Sequence, residues 1–210
     1  MSNDESVHPD RRNFLRAGAA TLATAAATTA GAAPQDAPAA KPAEIPKRKL
    51  GKTGVEVTLL DQGVIRGPSF DRLVRFAFGQ GIRVFDTARV YGTEPGFKRW
   101  FEKDPDVRKQ IFLVTKDNPR TPADLPKMLD KRLETLGTDY VDLFFIHGLG
   151  DEHSLDDAMN FVKGAEFKAV AEAIRKSGKA RFVGFSSHHK NRAQIIQAAA
   201  EGGVVDAIML

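Results

Sequence analysis

Four side chains in this sequence could together move a proton: Asp86, Tyr91, Lys116 and His147. Asp86, Lys116 and His147 each close a run of apolar residues: Phe85-Asp86, Leu113-Val114-Thr115-Lys116 and Leu143-Phe144-Phe145-Ile146-His147. Tyr91 follows Asp86 in Asp86-Thr87-Ala88-Arg89-Val90-Tyr91-Gly92. A phenol with a pKa near ~10 is a weak acid at neutral pH. A neighbouring ammonium stabilises phenolate and is expected to lower that pKa, and an aspartate would hold the ammonium in place. Tyr91 could then protonate a carbonyl oxygen as it gains negative charge, with His147 hydrogen-bonded to the same oxygen. No side chain supplies hydride, so a reduction would need a cofactor.

These residues must be brought together by the elements that end in them. Short runs at Asp61–Ile65, Arg83–Asp86, Ile111–Thr115, Val141–Ile146, Arg181–Phe185 and Val204–Leu210 read as six strands, most of them apolar throughout, as in strands covered on both faces. Helical patterns separate them. Pro122–Leu136 carries Leu125, Met128, Leu129, Leu133 and Leu136 on one face, with Thr121 as N-cap, Asp124 three residues on and Gly137 past the end. Glu166–Lys176, Arg192–Glu201 and Phe70–Phe78 are further helices, and another follows Tyr91 with Trp100 packed on it. Lys47–Leu50 and Val55–Leu60 flank Gly51-Lys52-Thr53-Gly54 as a β-hairpin. Alternating strands and helices imply an α/β fold with a parallel sheet, whose carboxyl ends share one face where active sites form. Periodicity alone does not separate an open doubly wound sheet from a barrel. No G-x-G-x-x-G follows the first strand, which weakens the doubly wound dinucleotide-binding reading.

Composition narrows the function classes. In 210 residues, 42% hydrophobic and 28% charged residues exclude general disorder and a multi-span membrane protein. A formal charge of +4, spread along the chain, makes no nucleic-acid-binding stripe. The absence of cysteine excludes disulfides, thiolate catalysis, Cys-ligated metal centres and a lipid-modified cysteine within these residues. His153, His188 and His189, scattered in loops, lack ligand spacing and read as solvated helix-cap residues, so no metal is expected. Residues 17–40 hold 13 alanines in 24 positions, too weakly apolar for a good membrane span or anchor. Arg11-Arg12-Asn13-Phe14-Leu15-Arg16 stands before that run, and Ala30-Gly31-Ala32 offers a cleavage site, so residues 1–32 resemble a twin-arginine signal. That implies the Tat export machinery as a partner and a bacterial periplasmic location. Residues 33–46, with Pro34, Pro38, Pro42 and Pro46, read as a linker, and the folded domain as 47–210.

Taken in order, Asp86-Thr87-Ala88-x-x-Tyr91-Gly92, Val114-Thr115-Lys116, Asp139-Tyr140-Val141-Asp142-Leu143 leading to His147, and Gly184-Phe185-Ser186-Ser187 resemble the aldo-keto reductase family. The resemblance implies a (β/α)8 TIM barrel with an N-terminal β-hairpin, incomplete here at about six of eight strands, since the chain stops at Met209-Leu210 inside the sixth apolar run. It implies reduction of an aldehyde or ketone to an alcohol with NADPH, less often NADH. It places a catalytic tetrad on Asp86, Tyr91, Lys116 and His147, and nicotinamide contacts on Ser186 and Ser187. Met209 falls where many members carry a Gln meeting the same carboxamide, and Ser187 where the family usually has Asn. Asp61-Gln62-Gly63 departs from the family's Gly-Leu-Gly. Two further readings stand beside the enzyme: a non-catalytic nucleotide-binding regulatory or scaffold protein on the same fold, and an inactive truncated product.

Overall fold

The computed structural model describes residues 44–64, 67 and 69–210. The expected signal segment 1–32, most of the expected linker and Ile65 lie outside the described residues. Strands β1 (Lys47–Lys49) and β2 (Glu56–Thr58) form the expected antiparallel hairpin. Then β3 (Asp61–Gly63), β4 (Val84–Asp86), β5 (Phe112–Asp117), β6 (Val141–Ile146), β7 (Ala180–Ser186) and β8 (Ala207–Met209) form one six-stranded sheet in sequence order. Every neighbouring pair is parallel. Consecutive order with helical crossovers is the (β/α)8 arrangement and not the doubly wound one, which reverses strand order at a switch point.

The strand alternation sorts side chains into two layers. On β5, Leu113 joins the large core between sheet and helices, with Phe85 of β4, Phe144 and Ile146 of β6, and Val183 and Phe185 of β7. Phe112 and Val114 point the other way, into a smaller cluster with Val84, Leu143, Phe145, Phe182, Ala207 and Met209. Leu50, Val55 and Val57 of the hairpin pack against this inner cluster and close one end of it. Both faces of the central strands are therefore covered, and β5 and β6 are buried at every position.

The helices are α1 (Phe70–Gly79), α2 (Glu94–Lys103), α3 (Val107–Gln110), α4 (Leu125–Leu136), α5 (Leu155–Lys163), α6 (Ala165–Lys176) and α7 (Arg192–Gly202). The long helix expected from Pro122 is a 3-10 turn (Pro122–Asp124) leading into α4. Asp124 Oδ2 accepts the Thr121 backbone N–H at 2.8 Å, and Gly137 ends α4 in the left-handed region. Helix α5 is an addition to the sequence reading. Its signal is Ser154, whose hydroxyl oxygen accepts the Asp157 N–H at 3.1 Å as an N-cap. The last strand is shorter than the apolar run suggests. Val204 and Val205 lie before it, and Asp206 donates its N–H to the Val183 carbonyl at 2.9 Å while its carboxylate turns to Arg175 at 2.7 Å.

Gly184 shows how tightly the inner face is filled. A Cβ there would sit within van der Waals overlap of the Ala207 carbonyl oxygen and the Phe145 ring. Gly184→Ala is therefore expected to destabilise the chain by about 1–3 kcal/mol through overpacking. Urea denaturation checks this, and an unchanged midpoint would mean that β7 and β8 separate easily.

Candidate active site

The inner face carries the polar residues that sequence pattern singled out. Lys116 follows Phe112 and Val114 at two-residue spacing, Asp86 follows Val84, and His147 follows Leu143 and Phe145. All three therefore continue the inner face at the carboxyl ends of their strands. Lys116 is 1% exposed and Asp86 6%. The Lys116 ammonium donates to both Asp86 carboxylate oxygens at 2.5 Å and to the Thr87 carbonyl at 3.2 Å. These three bonds use all three of its protons. Burial pushes the Asp86 carboxyl up, and the Lys116 charge and hydrogen bond pull it back.

Tyr91 ends a 3-10 turn, Arg89–Tyr91, after β4. Gly92 closes that turn at φ 66°, a conformation that a side chain would strain. Thr87 Oγ1 lies 2.8 Å from Thr93 Oγ1, and the Thr93 hydroxyl donates to the Val64 carbonyl at 3.1 Å, so the segment is pinned on both sides of Tyr91. The phenol ring centroid lies 5.0 Å from the Lys116 ammonium and 5.6 Å from the His147 ring, which meets it edge-on. The expected lowering of the phenol pKa is not what this arrangement produces. Burial, and then the Asp86 charge, push Tyr91 up, because the Lys116 ammonium is already committed to Asp86. The His147 imidazole is held below its ordinary value, first by burial and then by the Lys116 charge. Its Nδ1 is buried without a hydrogen-bond partner among the described residues.

Ser186 and Ser187 sit at and just past the end of β7, both buried. The Ser186 hydroxyl oxygen accepts the Gly148 N–H at 3.0 Å. The Ser187 hydroxyl donates to the Leu149 carbonyl at 2.7 Å and accepts the His189 N–H at 3.3 Å. Ser187's donor is thus spent on the loop after β6, whereas the Ser186 hydroxyl proton meets no acceptor among the described residues. Met209 ends β8 beside Ser186, and its carbonyl accepts the Ser187 N–H at 3.2 Å. Ser186 and Met209 therefore share one rim of the inner face, with the Ser187 backbone joined to Met209 beside them. An amide group could be taken there by Ser186, which suits the carboxamide of a nicotinamide.

Several charged residues were not singled out by sequence reasoning. Glu94, Asp117 and Arg132 are buried. The missed signal is periodicity: Glu94 precedes Phe97 and Phe101 on α2, and Arg132 lies among Leu125, Leu129, Leu133 and Leu136 on α4. A charge on an apolar stripe announces a buried ion pair. Asp61 is a further addition. Pairing of β3 with β4 sets Asp61 beside Val84 and Gly63 beside Asp86, on the inner face. Its carboxyl is pushed up to about 7, first by desolvation and then by the Asp86 charge, with Lys116 opposing. Water reaches Asp61 at the edge of the sheet and screens part of this effect.

Comparison with known proteins gives a consistent result. The Aldo/keto reductase family pattern matches residues 61–210. The aldo-keto reductase yakc (NADP(+)) of Schizosaccharomyces pombe is 30% identical over 169 residues, covering 70% of this chain and 47% of its own length. A crystal structure of an aldo/keto reductase from Brucella melitensis is 29% identical with a TM-score of 0.62, over 79% of this chain and 63% of that one. An aldo-keto reductase complexed with NADPH is 25% identical with a TM-score of 0.55, over 68% of this chain and 48% of that one. The chain spans about half the length of the curated relatives it matches.

Two outcomes are expected from the charge arrangement. Lys116→Met leaves the Asp86 carboxylate buried without its counter-ion and should cost about 3–5 kcal/mol in urea denaturation. A cost near zero would show that water reaches Asp86. Asp61 binds its proton more tightly in the folded chain than in the unfolded one. Its stabilising contribution is complete below about pH 4 and is lost as pH rises through about 7. Asp61→Asn should therefore flatten the pH dependence of the melting temperature across that window, and an unchanged slope would refute the shift.

Proposed function

We propose a function from one premise: the chain belongs to the aldo/keto reductase family. The proposed reaction is reduction of an aldehyde or ketone to an alcohol, at the inner-face site, with NADPH and less readily NADH. The single observation that carries it is the cluster itself: Tyr91 lies against both Lys116 and His147, while Lys116 is locked to Asp86. A bound nicotinamide would supply hydride, and Ser186, with Met209 on the same rim and Ser187 beside them, would hold its carboxamide end.

The chain's own residues would handle the oxygen. Reduction puts negative charge on the carbonyl oxygen, and Tyr91 donates its O–H proton there. A phenol pushed up by burial stays protonated at neutral pH, so the donor is always loaded. His147, held neutral by burial and by Lys116, can donate one ring N–H to the same oxygen without a fixed charge. The Lys116 ammonium, 5.0 Å from the phenol ring centroid, opposes the negative charge left on Tyr91 after transfer. Asp86 keeps that ammonium buried and in register.

Ser187 favours a second reading. Its hydroxyl donor is already engaged by Leu149, so nicotinamide grip rests on Ser186. A nucleotide-binding protein without useful turnover would bind NADPH and fail to reduce carbonyls. For location, we propose twin-arginine export to a bacterial periplasm, supported by Arg11-Arg12-Asn13-Phe14-Leu15-Arg16 and the alanine-rich run that follows. A cytoplasmic product in fractionated cells, unchanged by Arg11→Lys/Arg12→Lys, would contradict it.

The enzymatic reading is tested by nicotinamide absorbance with a panel of aldehydes and ketones. Tyr91→Phe should lower turnover by about 10²–10⁴-fold while the melting temperature holds. Equal turnover in the folded variant would remove Tyr91 as the acid. NADPH binding with no turnover in the parent chain would select the non-catalytic reading.

A further inference from the structure

The outer face of β5 carries a charge network that the reaction above does not use. Asp117 follows Lys116 and so points to the opposite side of the strand. It is 2% exposed. Its Oδ1 meets the Arg89 Nε at 2.6 Å and accepts the Asn118 backbone N–H at 2.8 Å. Its Oδ2 lies 3.4 Å from the Arg132 Nε. Arg132, 7% exposed, donates to Glu94 Oε2 at 3.1 Å. Glu94 Oε1 in turn accepts the Thr115 hydroxyl at 2.7 Å.

The positions of these residues in the chain give the network its meaning. Arg89 and Glu94 bracket Tyr91, and Thr115 and Asp117 bracket Lys116. The segment bearing Tyr91 is therefore fastened, on both sides, to the strand bearing Lys116, and always from behind. Asn118 extends the fastening to the third partner. Its Nδ2 donates to the His147 carbonyl at 2.9 Å, and its Oδ1 accepts from Arg89 at 3.5 Å. The His147 N–H donates to the Asp117 carbonyl at 2.8 Å.

We infer that Arg89 is a positioning residue for Tyr91, holding the turn Arg89–Tyr91 against Asp117 so that the phenol stays between Lys116 and His147. The inference rests on the carbonyl-reduction reading for its kinetic consequence, though not for its structural one. Arg89 is the suitable residue to change because its side chain is 49% exposed, and its loss leaves Asp117 still facing Arg132. The charged and titratable groups around Tyr91 are Asp86 and Lys116 from β4 and β5, His147 after β6, and Arg89 on its own turn, with Asp117 behind.

The test separates position from charge because the two make opposite demands. Removing a nearby cation, with the ring unmoved, can only raise the phenol midpoint. Releasing the turn lets the ring reach water and lowers the midpoint toward the ordinary phenol value. The chain has two tyrosines, Tyr91 and Tyr140. Both can be replaced by 3-fluorotyrosine, which titrates at lower pH, and followed by fluorine NMR with Tyr91→Phe for assignment. In Arg89→Gln the Tyr91 midpoint should fall by about half a pH unit or more, and Arg89→Lys should restore most of it. With a reducible carbonyl, Arg89→Gln should lower kcat about tenfold and leave KM within about twofold. A midpoint that rises or stays put overturns the inference. The titration needs no turnover, so a parent chain that fails to reduce carbonyls refutes the enzymatic reading and leaves this result intact.

Discussion

A lysine ammonium removed from water needs a counter-ion in contact, because the desolvation cost of an unpaired charge is several kcal/mol. Lys116 meets that requirement with both oxygens of Asp86 and the carbonyl of Thr87. The pair joins the ends of β4 and β5, and it makes their register a matter of charge as well as of backbone hydrogen bonding. Everything else at the site is arranged around it. Tyr91 is carried on the turn that leaves β4, His147 follows β6 on the other side, and the inner apolar cluster keeps water out from below.

The same strand that buries Lys116 inward buries Asp117 outward. Successive residues of a strand face opposite sides, so β5 carries a cation toward the site and an anion toward the helices. The outer anion collects Arg89 and Arg132, and through Arg132 the buried Glu94. Burial pushes Glu94 up, while Thr115 and Arg132 hold it down. Two carboxylates and two guanidiniums balance, so the helical layer of this fold is held by more than apolar packing. A second ionic group, Arg108 with Asp142 at 3.0 Å, ties α3 to β6, and Arg108 stacks on Tyr140.

Burial acts on Tyr91 and His147 in opposite directions to one end. It raises the phenol and lowers the imidazole, so both are neutral near pH 7 and both present a proton to an oxygen. Lys116 contributes a positive field whose proton-donating capacity is already spent. A donor pair of neutral groups beside a fixed ion pair suits a reaction in which charge appears on an oxygen and is quenched by a proton.

The sequence by itself determined the strand–helix alternation, the hairpin, the positions of Asp86, Tyr91, Lys116 and His147 at or just past strand ends, and the family resemblance those motifs carry. These are local: apolar period, cap residues and spacing are all written within a few neighbours. The sequence reading missed α5, although its Ser154 cap is local. It also did not show the shorter β8, the direction of the phenol shift, or the network of Arg89, Glu94, Asp117 and Arg132. Each of these depends on partners far apart in the chain. Arg132 meets Glu94 across 38 positions, and Lys116 meets Asp86 across 30. The pairing of Lys116 with Asp86 was expected; only the tertiary structure decided that it leaves Tyr91 to burial, because the strength of a charge depends on how much water remains around it, and that is set by packing.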